Sequence, residues 1–475
     1  MLTALFITLA LVIFHIFLHL ANPYASTNYF RSPYKTNVSE DGTIDYKRRY
    51  RLRVLRGPIA DLLGYYRSGF LIVQNTLVGG KRIDRDSSDE IIEEIHRMRF
   101  DPKKPYLISG DQFSVLYPRN LGVFYNQLLD PATAHSKVDW EHRQQIYLQS
   151  VLFAIDGLSV GKVPKTTLVP IAPHTITATQ VHPGSVASDS AYGLLYALYA
   201  LRDTTRKHGS YQIQTVDAVE RILTERHDQL ARIVTNYVAA VRDPETTLIR
   251  ADINLASARD GVHRSSSFYD NVILWKTMSF ADSLGIVSYD KSKLNTLHAL
   301  IKTTFWNEST EYYQNDIHDT SFSSDWLIAY VTRFLSLDNT EDLTHTIKTI
   351  SYISAHDIAE PLPIKYQLGT PKDLPWVIRK YVPMYGGEAI WSYWGAEYIT
   401  LLLNVFARTR DELYKSAADT YIARYHDAII RDGGFAETFD EHGDFLQIGP
   451  YKSIRITGWV VQFEHTLELA KRIKK

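Results

Sequence analysis

The segment EAIWSYWGAEYITLLLNVFARTRDELYKSAADTYIARYHDAII, residues 388–430, shows the helical character of the chain. Its apolar side chains recur at the three- and four-residue spacing that places them along one face of a helix. The pattern predicts one helix over 388–407 and a second over 410–430. The same spacing returns in block after block on both sides of this segment.

Twelve helices are predicted in all. They cover residues 87–98, 121–129, 140–155, 188–208, 215–241, 271–284, 292–305, 325–335, 341–353, 388–407, 410–430 and 458–472. Six helical hairpins require this number, so we predict an all-α fold, an (α/α)6 barrel. The absence of a long strand–helix–strand alternation argues against a TIM barrel or a Rossmann fold. An open α-solenoid remains an alternative, because alternating helices could also form one.

The composition excludes several kinds of function. The 475 residues include 52 basic and 53 acidic side chains, and this balance argues against a nucleic-acid binder. No cysteine is present, which excludes disulfides, thiolate metal sites and a cysteine nucleophile. The histidines beyond residue 110 occur singly, without an i, i+4 ligand pair, so we predict no metal site, and no cofactor is predicted either.

The N-terminal part precedes the predicted barrel. Residues 2–21, LTALFITLALVIFHIFLHLA, are uncharged and match the ~20 residues of a bilayer-spanning helix, so we predict a single-pass membrane anchor over 1–21. A secretory signal is the alternative, but the segment lacks a basic n-region and a small-x-small cleavage site. Residues 22–110 predict a connector and a small collar with strands in YRLRVL, 50–55, and FLIVQNTLV, 70–78. Residues 111–475 then form one barrel domain.

The first stretch that could carry chemistry is RSSSFYDNVILWK, residues 264–276, where a serine-rich loop enters an apolar helix through Asp270. A carboxylate at a helix entrance often serves as an N-cap, because it accepts hydrogen bonds from free backbone amides. Capping is therefore the structural alternative to a chemical role for Asp270.

The second stretch is DGGFAETFDEHGDF, residues 432–445, which places Glu437 between Phe435 and Phe439. Its acidic residues do not have the spacing of an EF-hand calcium loop. A solvated turn is the alternative, but the flanking phenylalanines predict partial burial, which would raise the proton affinity of a carboxylate. Hydrolysis of a glycosidic bond needs two such carboxyl groups, one protonated and one ionised.

Taken in order, several segments resemble the successive signatures of six-hairpin glycosidases. These segments are DQFSVLYPRNLGVFYNQLLDP, SSSFYDNVILWK, SSDWLIAYVTRFL, YGGEAIWSYWGAEYITLLL and GGFAETFDEHGDF. The chain is similar to glucoamylases, glycogen-debranching glucosidases and mannosyl-oligosaccharide-glucosidase-like enzymes from about residue 111 to its C-terminus. The shared order of the motifs carries the resemblance, since each motif alone is weak.

The resemblance implies an inverting, exo-acting hydrolase of α-linked glucans or related oligosaccharides. It implies that Asp270 is the general acid and that Glu437 is the general base. It also implies a sugar platform at Trp391 and Trp394. Further candidates for substrate binding are Asp111, Tyr117, Arg119, Asn120, Asp325 and Trp326. Asn120 departs from the Arg-Asp pair of glucoamylase-like relatives, which puts the sugar that is recognised in doubt.

Two other classes of function stay open. One is another carbohydrate-active enzyme on the same fold, such as a lyase, an epimerase or a phosphorylase. The other is a non-catalytic, membrane-anchored glycan-binding barrel, because a fold alone does not imply activity. The basic run at 47–56 favours a cytoplasmic barrel by the positive-inside rule, whereas a tethered glycosidase favours the extracytoplasmic side, and we expect the latter.

Overall fold

The computed structural model describes most of the chain after residue 52. The described residues are 37–38, 44–45, 53–78, 82–100, 106–109, 115–134, 137–161, 164–172, 175–180, 185–208, 213–259, 262, 264–371, 374, 379–380, 382–448 and 451–474. The predicted anchor at 2–21 and the candidate Asp111 lie outside them. No helix within these ranges has both the length and the apolarity that crossing a membrane requires.

The described part is mainly helical. Its α-helices are α1 Pro58–Val78, α2 Ser88–Arg99, α3 Lys137–Leu158, α4 Ser190–His208, α5 Ile213–Glu225, α6 His227–Val241, α7 Phe268–Ser283, α8 Lys291–Phe305, α9 Ile328–Val331, α10 Thr340–Ala355, α11 Ser392–Thr409, α12 Glu412–Asp432 and α13 Val460–Lys474. Two of the twelve predicted helices, at 121–129 and 325–335, are instead short: 3-10 turns at Pro118–Leu121 and Asn126–Leu129, and a 3-10 turn at Ser324–Leu327 that leads into α9. The predicted helix 215–241 is divided at Arg226 into α5 and α6.

Inner and outer segments alternate along the chain. The inner segments are 118–129, α4, α7, 324–331, α11 and α13. Each inner segment contacts the next, and α13 closes the ring on residues 126–129. The outer segment α2 precedes the first inner segment in sequence, and the other outer segments each lie between two inner ones: α3, α5 with α6, α8, α10 and α12. Six pairs of this kind form the (α/α)6 arrangement that the helical spacing predicts.

The sequence of one hairpin shows why α11 is inner and α12 is outer. Helix α11 is apolar on nearly all sides, and almost every residue from Ser392 to Phe406 is buried, whereas α12 buries few. A helix that is apolar all round needs neighbours on every side, and an amphipathic helix needs only one. The chain reverses at Arg410, which has φ 61°, and Asp411 then caps α12 by accepting a hydrogen bond from the backbone N–H of Leu413.

Close packing also brings the first inner segment against α4. A Cβ atom added to Gly193 of α4 would overlap the carbonyl oxygen of Pro118. Only glycine permits this approach without displacing the backbone. The contact therefore places Arg119 against the start of α4.

The strands are short. They are β1 Asn37–Val38, β2 Ile44–Asp45, β3 Arg53–Leu55, β4 Thr167–Ala172, β5 Thr175–Thr179, β6 Val186–Ala187, β7 Leu255–Ala256, β8 Trp306–Asn307, β9 Tyr312–Tyr313, β10 Ile390–Trp391, β11 Thr438–Phe439, β12 Gln447–Ile448 and β13 Tyr451–Lys452. The largest sheet that the structure describes has the order β3-β5-β4, with β3 parallel to β5 and β4 antiparallel to it. The predicted strand within 50–55 is thus present as β3. It pairs with a strand from the barrel part of the sequence.

The predicted strand at 70–78 is wrong, because these residues belong to α1. The helix begins at Pro58, a residue suited to a first helical turn, after Gly57 with φ 90°. It lies on the β3-β5-β4 sheet, and a Cβ atom on Gly64 would come within 2.9 Å of a Thr177 methyl group. The run FLIV has strand propensity by composition, but it continues a helix whose Gly64 lies against the sheet.

Candidate active site

The starts of the six inner segments carry most of the candidate residues. In chain order, residues at or next to these starts are Arg119, Asp189, Asp270, Asp325, Trp391 and Trp459. Hydrogen bonds and ring contacts connect neighbouring segments, and the Tyr269 hydroxyl of α7 donates a hydrogen bond to Asp189 at 3.2 Å. The same end of the barrel therefore gathers carboxyl, guanidinium and aromatic groups from segments that are far apart in sequence.

Asp270 lies in the first turn of α7, but Ser267 is the N-cap. The Ser267 hydroxyl accepts a hydrogen bond from the Asp270 backbone N–H at 3.0 Å and donates one to the Asp270 carboxylate. Ser266, just before it, has φ 71°, a left-handed conformation that is rare outside glycine. Because Ser267 fulfils the capping role, the Asp270 carboxyl group is not needed for it.

The Asp270 carboxyl group is 1% exposed, and its environment favours the protonated form. Burial raises its pKa above the ordinary 3.8, and the Asp325 carboxylate adds to the rise. The positive charge of Arg264 and the hydroxyls of Ser188 and Ser267 act in the opposite direction without cancelling it. A carboxyl group held in this way can donate a proton at a pH where an exposed aspartate is already ionised.

Arg264 and Asp325 form a buried ion pair beside Asp270. Arg264 Nη1 donates to Asp325 Oδ2 at 2.6 Å, and Arg264 Nη2 donates to the Ser257 hydroxyl at 2.8 Å. The Tyr366 hydroxyl donates to the same Asp325 oxygen at 3.1 Å. Burial alone would lower the pKa of Arg264, but Asp325 and Asp270 raise it above its ordinary value, so this guanidinium keeps its charge.

Arg119 joins this network through the same loop. Its Nη1 donates to the backbone oxygen of Ser257 at 2.5 Å, and its guanidinium lies 4.9 Å from the centre of the Tyr117 ring. The neighbouring Asn120 side chain donates instead to the Ser109 hydroxyl at 3.0 Å. Arg119 and Tyr117 therefore lie near the Arg264–Asp325 pair, while the Asn120 amide is bound to the 106–109 segment.

Glu437 is positioned by the pairing of β10 with β11. Thr438 pairs with Trp391, and the Glu437 backbone oxygen accepts a hydrogen bond from the Ser392 N–H at 3.1 Å. Its carboxylate is half-buried and accepts a hydrogen bond from the Tyr451 hydroxyl at 3.4 Å. Burial, followed by the Glu437 charge, raises the pKa of Tyr451 well above 10, so Tyr451 remains a donor.

A series of aromatic rings connects Asp325 with Glu437. Tyr366, the hydroxyl partner of Asp325, meets Trp391 edge to face with ring centres 5.3 Å apart. Tyr385 contacts Trp391 at 4.9 Å and Tyr451 at 5.2 Å. Trp391 also stacks on Trp459 at 5.7 Å. A continuous series of contacts thus leads from Asp325 to the tyrosine that binds Glu437.

Three candidate tryptophans differ in their surroundings. Trp394 is 0% exposed and contacts Tyr393 and Phe124, and Trp326 is 2% exposed and contacts Tyr330. Both are core positions in this structure. Trp391 is also buried, but its rings contact the aromatic residues beside Glu437.

Sequence reasoning missed several residues of this network: Arg264, Tyr366, Tyr385, Tyr451 and Trp459. Arg264 stands at the start of the stretch that includes Asp270, so its place there was a usable signal. The others are brought in by tertiary contacts with no local pattern. Among the residues that the structure describes, no group of three or more histidine and acidic side chains is arranged to hold a metal ion.

Neither a protein-family model nor a curated protein sequence matches this chain. Solved structures do. The chain is similar to a glucoamylase from Saccharomycopsis fibuligera, with 9% identity, a TM-score of 0.53, and 83% of this chain and 98% of that chain covered. A glycoside hydrolase family 15 glucoamylase from Hypocrea jecorina matches with 13% identity, a TM-score of 0.53, and 82% and 73% covered.

Cellobiose 2-epimerase from Bacillus thermoamylovorans B4167 matches with 12% identity, a TM-score of 0.50, and 86% of this chain and 99% of that chain covered. The chain therefore has the six-hairpin (α/α)6-barrel fold of glycosidase-like proteins, as the order of its motifs indicates. Hydrolases and an epimerase share that fold.

Proposed function

We propose that the protein is an inverting glycoside hydrolase that acts from chain ends on α-linked glucans or related oligosaccharides, with Asp270 as general acid and Glu437 as general base. The observation that carries the proposal is the burial of the Asp270 carboxyl group, which Ser267 frees from capping, at the end of the barrel where Glu437 lies. Two carboxyl groups in unlike environments suit an acid and a base.

In the proposed reaction, Asp270 gives its proton to the glycosidic oxygen as the bond from that oxygen to the anomeric carbon breaks. Glu437 takes a proton from a water molecule whose oxygen forms the new bond to the anomeric carbon from the opposite face. The positive charge that develops on the sugar ring disappears when water adds. The products are a sugar of inverted configuration and an alcohol. Glu437 is left protonated and Asp270 ionised, and proton exchange with solvent restores both.

We assign the substrate-binding role to Asp111, Tyr117, Arg119, Asn120, Asp325 and Trp391, and a supporting role to Trp326 and Trp394. Arg119 and Asp325 can bind sugar hydroxyls as donor and acceptor, and the aromatic residues supply ring faces. The buried Arg264 holds Asp325 in place. Two fully covered rings, those of Trp326 and Trp394, contribute less directly, by supporting the residues around them.

The test is hydrolysis of a panel of α- and β-linked disaccharides by the full-length chain, with the anomer of the first-formed product read by proton NMR. We expect release of the inverted anomer from an α-linked glucoside. A shift of the reducing-end sugar between gluco and manno configurations, without cleavage, would make the protein an epimerase. Binding of sugars without any turnover would favour the non-catalytic alternative.

We also propose that residues 1–21 tether the barrel to a membrane, on its extracytoplasmic side. The support is the uncharged run of 2–21. Alkaline carbonate extraction of membranes should leave the chain in the pellet, and protease added outside intact cells stripped of their wall should digest the barrel. Release by carbonate would contradict the anchor, and protection from protease would contradict the orientation.

A further inference from the structure

Two buried arginines lie five residues apart in the loop before α7, and they differ in their ion-pair and hydrogen-bond partners. Arg264 is paired with Asp325 and also donates to the Ser257 hydroxyl. Arg259 is 1% exposed and has no carboxylate within ion-pair distance among the residues that the structure describes. Its Nη2 donates to the Gln367 side-chain oxygen and to the Gly386 carbonyl.

The remaining donors of Arg259 are not used. Its Nε and Nη1 atoms are buried and have no hydrogen-bond partner within the part of the chain that the structure describes. The guanidinium lies 4.9 Å from the centre of the Tyr366 ring, which offers a weaker interaction than an anion does. Burial lowers the pKa of Arg259 to about 10, so the group stays charged at neutral pH. A buried charge without a counter-ion is costly, and binding an anion would remove that cost.

Position links this charge to the candidate active site. Tyr366, whose ring faces Arg259, donates its hydroxyl to Asp325 and contacts Trp391. Arg259 also lies close enough to Arg264 for the two positive charges to repel each other. The carboxylates of Asp325 and Asp319 act on it only from a distance beyond an ion pair. Tyr366 therefore connects Arg259 to Asp325 and to Trp391.

We infer that the site takes a sugar that carries an oxyanion, a carboxylate, sulfate or phosphate group, and that Arg259 is its counter-ion. The inference rests on the proposed function and narrows its "related oligosaccharides" to acidic ones. Arginine suits this role because it keeps its charge and offers several donors in one plane to an oxyanion.

The experiment measures binding to the full-length chain by calorimetry for D-glucuronate, D-glucose 6-sulfate, D-glucose 6-phosphate and neutral D-glucose. We expect at least one anionic sugar to bind about 100-fold more tightly than glucose, the scale on which a buried charge pair contributes to affinity. The tightest of the three identifies the anion. Equal binding of all four, or no binding of any anionic sugar, would overturn the inference. This comparison uses the unmodified protein and does not depend on a variant folding.

The variant Arg259→Gln should lose the preference and bind the anionic sugar no more tightly than glucose. Arg250→Gln is the matched control, because it removes a partly exposed arginine that is paired with Asp252 outside the site. A preference that survives in a folded Arg259→Gln variant would contradict the role of Arg259. Anion preference without any hydrolysis would reject the proposed function and leave the inference standing. Hydrolysis of neutral glycosides without any preference for anionic sugars would support the proposed function and reject the inference.

Discussion

Asp270 and Glu437 are held in opposite ways. Asp270 belongs to the first turn of an inner helix, is buried, and lies beside a fully paired arginine. Glu437 lies in a segment between α12 and α13, is half-buried, and accepts a hydrogen bond from a tyrosine. The first environment favours a proton on the carboxyl group, and the second leaves the carboxylate accessible. The difference in environment supports the proposal that Asp270 is the acid and Glu437 the base.

The largest effect should come from removing the accessible carboxylate. Glu437→Gln keeps the size of the side chain and its ability to accept a hydrogen bond, but it cannot take a proton from water. We expect kcat to fall about 1000-fold or more, within the range by which positioned acid–base groups accelerate reactions. Steady-state kinetics on the best disaccharide measures this. The control is Glu441→Gln, which removes another carboxyl group of the same segment and should retain activity. Equal loss of activity in both variants would contradict Glu437 as the general base.

The next effect is the pH dependence of kcat/KM. In the proposed mechanism activity needs Asp270 protonated, and its raised pKa should move the loss of activity on the alkaline side above the range of an ordinary aspartate. Beyond that pKa, kcat/KM should fall about tenfold per pH unit. In Asp270→Asn, assayed with an activated leaving group, this alkaline fall should vanish. The control Asp282→Asn, at the other end of α7, should keep the alkaline fall of kcat/KM. If Asp270→Asn keeps the fall as well, another group causes it.

A third carboxyl group, that of Glu397, is buried like Asp270 but does not lie at the start of an inner helix. Glu397 of α11 is buried, accepts a hydrogen bond from the Tyr393 hydroxyl at 3.0 Å, and has its pKa raised by burial to about 8. Because the folded state holds this proton while the unfolded state loses it near pH 4.5, Glu397 makes the fold less stable as pH rises from about 4.5 to 8.

Glu397→Gln should remove this dependence and stabilise the protein by a few kcal/mol at pH 8, with little change at pH 4. Thermal unfolding at the two pH values measures it. Hydrolytic activity should stay within about threefold of the parent, since Glu397 lies inside α11 and not at its start. An activity loss as large as that of Asp270→Asn would show that burial, and not location, marks the acid in this barrel.

The sequence alone predicted the helices that pack by apolar periodicity, such as α7, α11 and α12. It did not predict the 3-10 turns at 118–129, because a short turn has too few residues to show a period. The Arg264–Asp325 pair joins residues 61 positions apart, and its geometry depends on two inner segments meeting. The β4–β5 hairpin was also missed, although its alternation of Thr with apolar residues is a strand signal.

The proposal that Asp270 is the general acid is tested most directly by how the hydrolysis rate of Asp270→Asn depends on the leaving group. An acid that protonates the departing oxygen is needed for a poor leaving group, such as the hydroxyl oxygen of a second sugar. It is dispensable for 2,4-dinitrophenolate. The account predicts that Asp270→Asn cleaves a natural disaccharide about 1000-fold more slowly than the parent but cleaves the dinitrophenyl glycoside at nearly the parental rate. An equal loss of rate on both substrates would contradict Asp270 as the general acid.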